Sequence, residues 1–209
     1  MSHCTKFDFT YSDEGAIVKA FDKLGIKCST EIVCEFNSNA SKMLLGNLGY
    51  LGNKQFRAIT GSLNGYNIFL CKVSEDKYDF FIERHRNFDS ESPEVKELAK
   101  RFKRAYVEVA VDGVVKKLDK ANMPSEVVAE EDKFVINFGP TLEYSLSIIY
   151  NENSITEEVS GVKGEFCTRL TEDIENILSH PTAELSTEWK QEYNMMIEDQ
   201  NIQVLSLSF

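Results

Sequence analysis

The strongest constraint on the fold lies between Glu143 and Leu178, EYSLSIIYNENSITEEVSGVKGEFCTRLTEDIENIL, where the hydrophobic period changes once. Up to Tyr150 the residues alternate, with Leu142, Tyr144, Leu146 and Ile148 set against Glu143, Ser145 and Ser147. That pattern fits a half-buried strand over Thr141–Tyr150, because successive side chains of a strand point to opposite faces. Asn151-Glu152-Asn153 supplies a turn, and ITEEVSGV a returning strand. Gly161 and Gly164 then permit positive φ where the chain reverses. Beyond them Phe166, Leu170, Ile174 and Ile177 recur at helical spacing, flanked by Cys167 and Leu178. A hairpin, a Gly-x-x-Gly turn and an amphipathic helix in 36 residues point to mixed α and β structure.

The rest of the chain supplies more of the same parts. Phe7, Phe9 and Tyr11 alternate within a strand over Cys4–Tyr11, and Ser12 or Asp13 caps a helix whose stripe is Ile17, Ala20, Phe21 and Leu24. Gly25 stops it. Residues 26–36 predict a second strand that sets Cys28 and Cys34 on one face. Three strand runs follow, QFRAITGSL, YNIFLCKV and YDFFIERH, separated by Asn64-Gly65 and by Glu75-Asp76. Asn-Gly between β-rich runs is a strong hairpin signal. Ser92-Pro93-Glu94 opens the longest helix, with Ser92 as N-cap and Pro93 in the first turn. Its apolar stripe is Val95, Leu98, Ala99, Phe102, Ala105, Tyr106, Val109 and Ala110, and the pattern continues past Gly113 through Val114 and Leu118. SEVVAEEDKFVINFG predicts one more hairpin, turning near Glu131-Asp132. The expected class is α+β, mostly antiparallel sheet with packed helices plus a smaller C-terminal hairpin–helix domain.

Charge suggests where to divide the chain. Of the net charge of −11, residues 1–140 carry −1 and residues 141–209 carry −10. The step coincides with Gly139-Pro140, so the expected domains are 1–139 and an acidic 141–209. Such an acidic C-terminal part disfavours nucleic acid or anionic lipid there. No apolar run reaches the roughly 20 residues of a membrane span, and residues 1–15 lack the apolar core of a signal peptide. A cytoplasmic protein is expected.

Few residues offer chemistry. The loop with Gly46, Gly49 and Gly52 lacks the Gly-Lys-Ser/Thr ending of a phosphate loop and leads into a strand, not a helix, so it fits a plain connection. Cys4, Cys28, Cys34, Cys71 and Cys167 form no Cys-x-x-Cys pair, and the three histidines are far apart, so neither a metal nor a cofactor is expected. Cys167 is the one candidate for a reactive group, since a thiol in the first helical turn gains from the dipole. Glu165 and Glu172 oppose its ionisation and no histidine stands near it, so packing beside Leu170 and Ile174 is the competing reading. On the long helix, Lys96, Lys100, Arg101, Lys103 and Arg104 crowd the outer surface. They form a solvated face, a docking site for an acidic partner, or a nucleic-acid surface; net charge disfavours the last.

Two resemblances bear on function. Met-Ser-His at the start, Leu24-Gly25, Gly49-Tyr50-Leu51-Gly52-Asn53, and the Leu98, Arg101-Phe102, Ala105-Tyr106 helix resemble a conserved hypothetical reading-frame family of plastid genomes and cyanobacteria, over residues 1–138. Residues 143–193 resemble a second small family of unknown function, on Val159-Ser160-Gly161-Val162-Lys163-Gly164, Cys167 and Leu170-Thr171. Members of the two families are usually neighbouring genes, often beside AAA-type ATPases, which implies that the fused halves work side by side. The expected function is therefore a non-enzymatic accessory or adaptor protein, with a protein partner such as an AAA-type ATPase. Its interaction residues would be Gly161, Lys163 and Gly164 at a recognition tip, and Lys100, Arg101 and Arg104 on the helix. The alternatives are a thiol-dependent redox or cofactor-binding protein centred on Cys167, with Cys28 or Cys34, and nucleic-acid binding through residues 96–104.

Overall fold

The computed structural model describes residues 3–33, 56–84, 92–162, 166–180 and 184–189. It is α+β, with two antiparallel sheets and three helices among the described residues. The chain divides into two compact units, each discontinuous in sequence: unit 1 is residues 1–9, 111–175 and 182–209, and unit 2 is residues 10–110 and 176–181.

Unit 2 is built on hairpins. Strands β2 (Cys28–Val33), β3 (Phe56–Leu63), β4 (Tyr66–Ser74) and β5 (Lys77–Arg84) pair in sequence order. Asn64 and Gly65 both take positive φ, 51° and 82°, the geometry that matches the twist of two tightly joined strands. Helix α1 (Glu14–Lys23) is capped by Asp13, whose carboxylate accepts from the Ala16 amide at 2.5 Å. Ile17, Ala20 and Phe21 are its buried stripe, and Gly25 leaves it at φ 67°. At Gly61 a Cβ would lie 2.7 Å from both Ile26 and Phe21, so β3 needs glycine where α1 and its exit press on the sheet.

The long helix α2 (Pro93–Lys120) starts where Ser92 Oγ accepts from the Val95 amide at 3.3 Å, and it passes Gly113 without a break. Residues 93–110 belong to unit 2. There the Tyr106 hydroxyl accepts from the amides of Ser12 (3.0 Å) and Asp13 (3.1 Å) and donates to the Ile177 carbonyl at 2.7 Å. Ser12 Oγ donates to that same carbonyl at 2.7 Å. Burial pushes the Tyr106 hydroxyl up to about 12, so it is a permanent donor in any ordinary buffer. Tyr106→Phe strands two part-buried amides while Ser12 still serves Ile177. We expect a loss of about 1–3 kcal/mol in urea unfolding, and a change within error would contradict this account of the clamp.

Unit 1 holds the larger sheet. Strands β1 (His3–Asp8), β6 (Ser125–Ala129), β7 (Lys133–Phe138), β8 (Tyr144–Tyr150), β9 (Ser154–Ser160) and β10 (Ser186–Trp189) lie in the order β10-β1-β9-β8-β7-β6. Phe134, Ile136 and Phe138 share the buried face with Leu146, Ile148 and Tyr150, and with Ile155 and Val159. Helix α3 (Phe166–Leu178) lies against that face in its unit 1 portion, Phe166–Glu175, where the Phe166 ring sits 6.3 Å from Phe138.

Several expectations are corrected. Gly139-Pro140 is a turn between the paired strands β7 and β8, not a domain boundary, because the backbone hydrogen bonds of one sheet run across it. Leu142 is no strand residue: it sits exposed in that turn at φ 57°, and β8 starts at Tyr144. The C-terminal part also adds a strand to this sheet: Trp189 ends β10 opposite His3 of β1. Lys103 is only 9% exposed, because α2 also buries Val107 and Val111 and leaves it less polar surface than a one-sided stripe would. The Gly46–Gly52 loop, Cys34 and residues 190–209 lie outside the described residues.

Candidate functional site

The expected site residues do not converge. Lys100 and Arg101 are exposed on the unit 2 part of α2, whereas Arg104 is half-buried and Lys103 buried, so the basic strip is interrupted. Gly161 takes φ 82° in unit 1, and a Cβ there would sit 3.0 Å from the Tyr144 ring and 3.2 Å from the Glu143 carbonyl oxygen. That glycine is a packing requirement. Lys163 and Gly164 lie outside the described residues, and so does the side chain of Cys167, whose backbone occupies the first turn of α3.

Burial, with Asp79 adding to it, pushes the Cys71 thiol up to about 12, and burial also raises Cys28. Thiols held in the protonated form are poor nucleophiles at neutral pH. Among the described residues no group of three His, Cys, Asp or Glu is placed to hold a metal ion, and no helix is long and apolar enough to cross a membrane.

The surface feature that stands out is the β6 margin of unit 1. Its sequence dictates its form: Pro124 precedes it, β-branched Val127 and Val128 favour an extended chain, and the Glu130 amide donates to the Lys133 carbonyl at 2.8 Å to close the hairpin. In β6 four of five residues are exposed and Ser125 is half-buried. The strand is the last of its sheet, so one row of its backbone groups has no neighbouring strand among those described. Val127 and Val128 are 40% and 42% exposed, on opposite faces, and Ile149 adds a further 38% exposed side chain. Val128 pairs with Val135, and Ile149 stands opposite Lys133, so these apolar side chains share the face away from the core. Glu126, Glu130, Glu131 and Asp132 surround them, all exposed, with no base between Ser125 and Asp132. An open strand edge can pair with an extended segment, and an acidic rim favours a basic one over an acidic one.

Sequence reasoning missed two things here. It read β6 as half of a hairpin without seeing that the hairpin ends a sheet, since nothing local marks an edge. It also passed over Glu157, which is 0% exposed. Its parity with Ile155 and Val159 was the available signal.

Comparison with known proteins adds one finding. Residues 147–193 match the family model described as a protein of unknown function, DUF2997, which covers less than a quarter of the chain. No curated protein and no solved structure matches.

Proposed function

We propose that this chain is a non-enzymatic adaptor that binds another protein by adding a strand to β6. The observation that carries this reading is the open β6 edge, with Val127 and Val128 exposed and acids around them. The occupant is an extended apolar segment of the partner with lysine or arginine at its flanks. Backbone pairing would supply affinity, alternate side chains would meet Val128 on one face and Val127 on the other, and the acidic rim would set orientation and on-rate. The fusion read from sequence, a plastid and cyanobacterial reading-frame family at 1–138 joined to the DUF2997-like segment, supports placing the adaptor beside an AAA-type ATPase or a larger assembly, in the cytoplasm. The Lys100, Arg101 and Arg104 surface on α2 would be a second contact for an acidic part of such an assembly.

The test is capture of partners by the full chain and by Val127→Lys/Val128→Lys, with circular dichroism confirming that the variant folds. Edge lysines block strand addition and repel a basic segment. A partner retained by the wild type and reduced at least tenfold by the variant, with binding that weakens as salt is raised, is the expected result. A partner held equally by both forms, or a chain with no specific partner, overturns it.

A further inference from the structure

The β6 interface makes no use of Glu157, the most unusual side chain of unit 1. Strand alternation sends it inward, on the face of Ile155 and Val159, opposite Ile148 on β8 and Thr5 on β1. It is fully buried, and neither carboxyl oxygen has a hydrogen-bond partner among the described residues. Helix α3 closes this face: its Phe166 ring meets Phe138 of β7, and Glu175, more than two turns later, acts on Glu157 electrostatically. The helix therefore crosses the strands from β7 toward β9 and brings a second carboxyl over the first.

Among the described residues, no compensating charge acts on Glu157. From β8 the neighbour is Ile148, and from β1 it is Thr5, whose hydroxyl lies 3.1 Å from that of Thr187 on β10. His3 occupies the register position opposite Val159, one step along the same face. From α3 the nearby groups are Thr171, 1% exposed, and Glu175, whose own proton affinity is raised by burial and by Glu172. On β9 itself Glu158 points to the other face. Burial first, and then Glu175, raise the Glu157 carboxyl well above its ordinary value. An ionised, unpaired carboxylate in such a layer is far costlier than the neutral acid.

We propose that Glu157 is a proton-operated latch: as the neutral acid it lets α3 close on the sheet of unit 1, and its ionisation drives the helix off that face. The direction follows from linkage. The folded state holds this proton more tightly than the unfolded chain, whose carboxyl titrates near 4.5. Its favourable contribution is thus fully present below that pH and is lost as pH rises toward the folded-state value. One proton corresponds to a tenfold fall in the folding constant per pH unit within that window. A regulator acting through local acidity would bias whether residues 166–175 are docked.

The experiment is urea unfolding of the full chain and of Glu157→Gln from about pH 4.5 to about pH 8.5, with hydrogen exchange read on peptides from β9 and residues 166–175. We expect the variant's folding constant to gain on the wild type by about tenfold per pH unit before levelling, with slower exchange in residues 166–175 at the alkaline end. A gap that stays constant with pH overturns the latch. Should the glutamine variant fail to fold, infrared spectroscopy of the wild type decides: a protonated carboxyl stretch persisting at neutral pH and lost on alkaline opening supports it, and its absence overturns it.

Discussion

Phe102→Ala is expected to destabilise unit 2 by about 3–5 kcal/mol. Phe102 is 0% exposed and stands at the meeting point of three elements. Its ring centroid lies 4.8 Å from Phe21 of α1, edge to face, 5.2 Å from Phe80 of β5, and 5.9 Å from Tyr11. Tyr11 in turn stacks on Phe80 at 5.8 Å and meets Tyr106 edge-on at 5.0 Å. Aromatic pairs of this geometry add about 0.5–1.5 kcal/mol each beyond the area they bury, and removing the central ring weakens several at once. The void cannot collapse easily, because the surrounding rings are stiff and close-packed. A domain's whole stability is about 5–15 kcal/mol, so the variant should be mostly unfolded in unit 2 well below the wild-type urea midpoint. Phe102→Leu keeps most of the volume and should cost far less, about 1–2 kcal/mol. Equal losses for the two variants would show that the ring contacts carry no weight.

The parts of this fold that were legible in the sequence are those whose cause is local. Asn64-Gly65 forces its own turn through positive φ at both residues. Asp13 caps α1 and Ser92 opens α2 with bonds that span three residues. The period change after Gly161 marks the passage from β9 to α3. What escaped was non-local. Thr5 pairs with Glu157 on one side and Thr187 on the other, and no residue near Thr5 announces partners so far along the chain. Without that pairing the order β10-β1-β9 cannot be found. The charge step at position 140 was real but belonged to composition, and a sheet can run through such a step because strand pairing depends on backbone groups and the buried face, not on net charge. The candidate site shares this asymmetry. Val127 and Val128 were visible as strand residues, but their exposure is a property of being last in the sheet.

Gly139→Ala separates the two accounts of that step directly. If Gly139-Pro140 were a linker between domains, a methyl group there would be nearly silent, since exposed linker positions tolerate side chains. The structure gives the residue φ 106°, outside the left-handed helical range that alanine enters at modest cost. A Cβ would also fall 2.7 Å from the Tyr144 ring and 2.8 Å from a Glu143 carboxylate oxygen. The exposed Glu143 carboxylate can swing aside only by giving up its Thr141 partners, and the Tyr144 ring is the firmer obstacle. Tyr144 lies 5.6 Å from Phe138, and the Glu143 carboxylate accepts from both the amide and the hydroxyl of Thr141 at 2.9 Å. The hydrogen bond from its own amide, and then those from Thr141, hold Glu143 below the usual carboxylate range. Backbone strain of about 1–3 kcal/mol and overpacking of similar size therefore act together. We expect a loss of about 2–5 kcal/mol, confined to unit 1 and read as faster hydrogen exchange in β7 and β8 with β3–β5 unchanged. Protection that stays uniform across both sheets would restore the linker. Loss in unit 1 alone means that the turn at Gly139 is part of the sheet that presents β6, and that truncating the chain at position 140 would destroy the proposed interface.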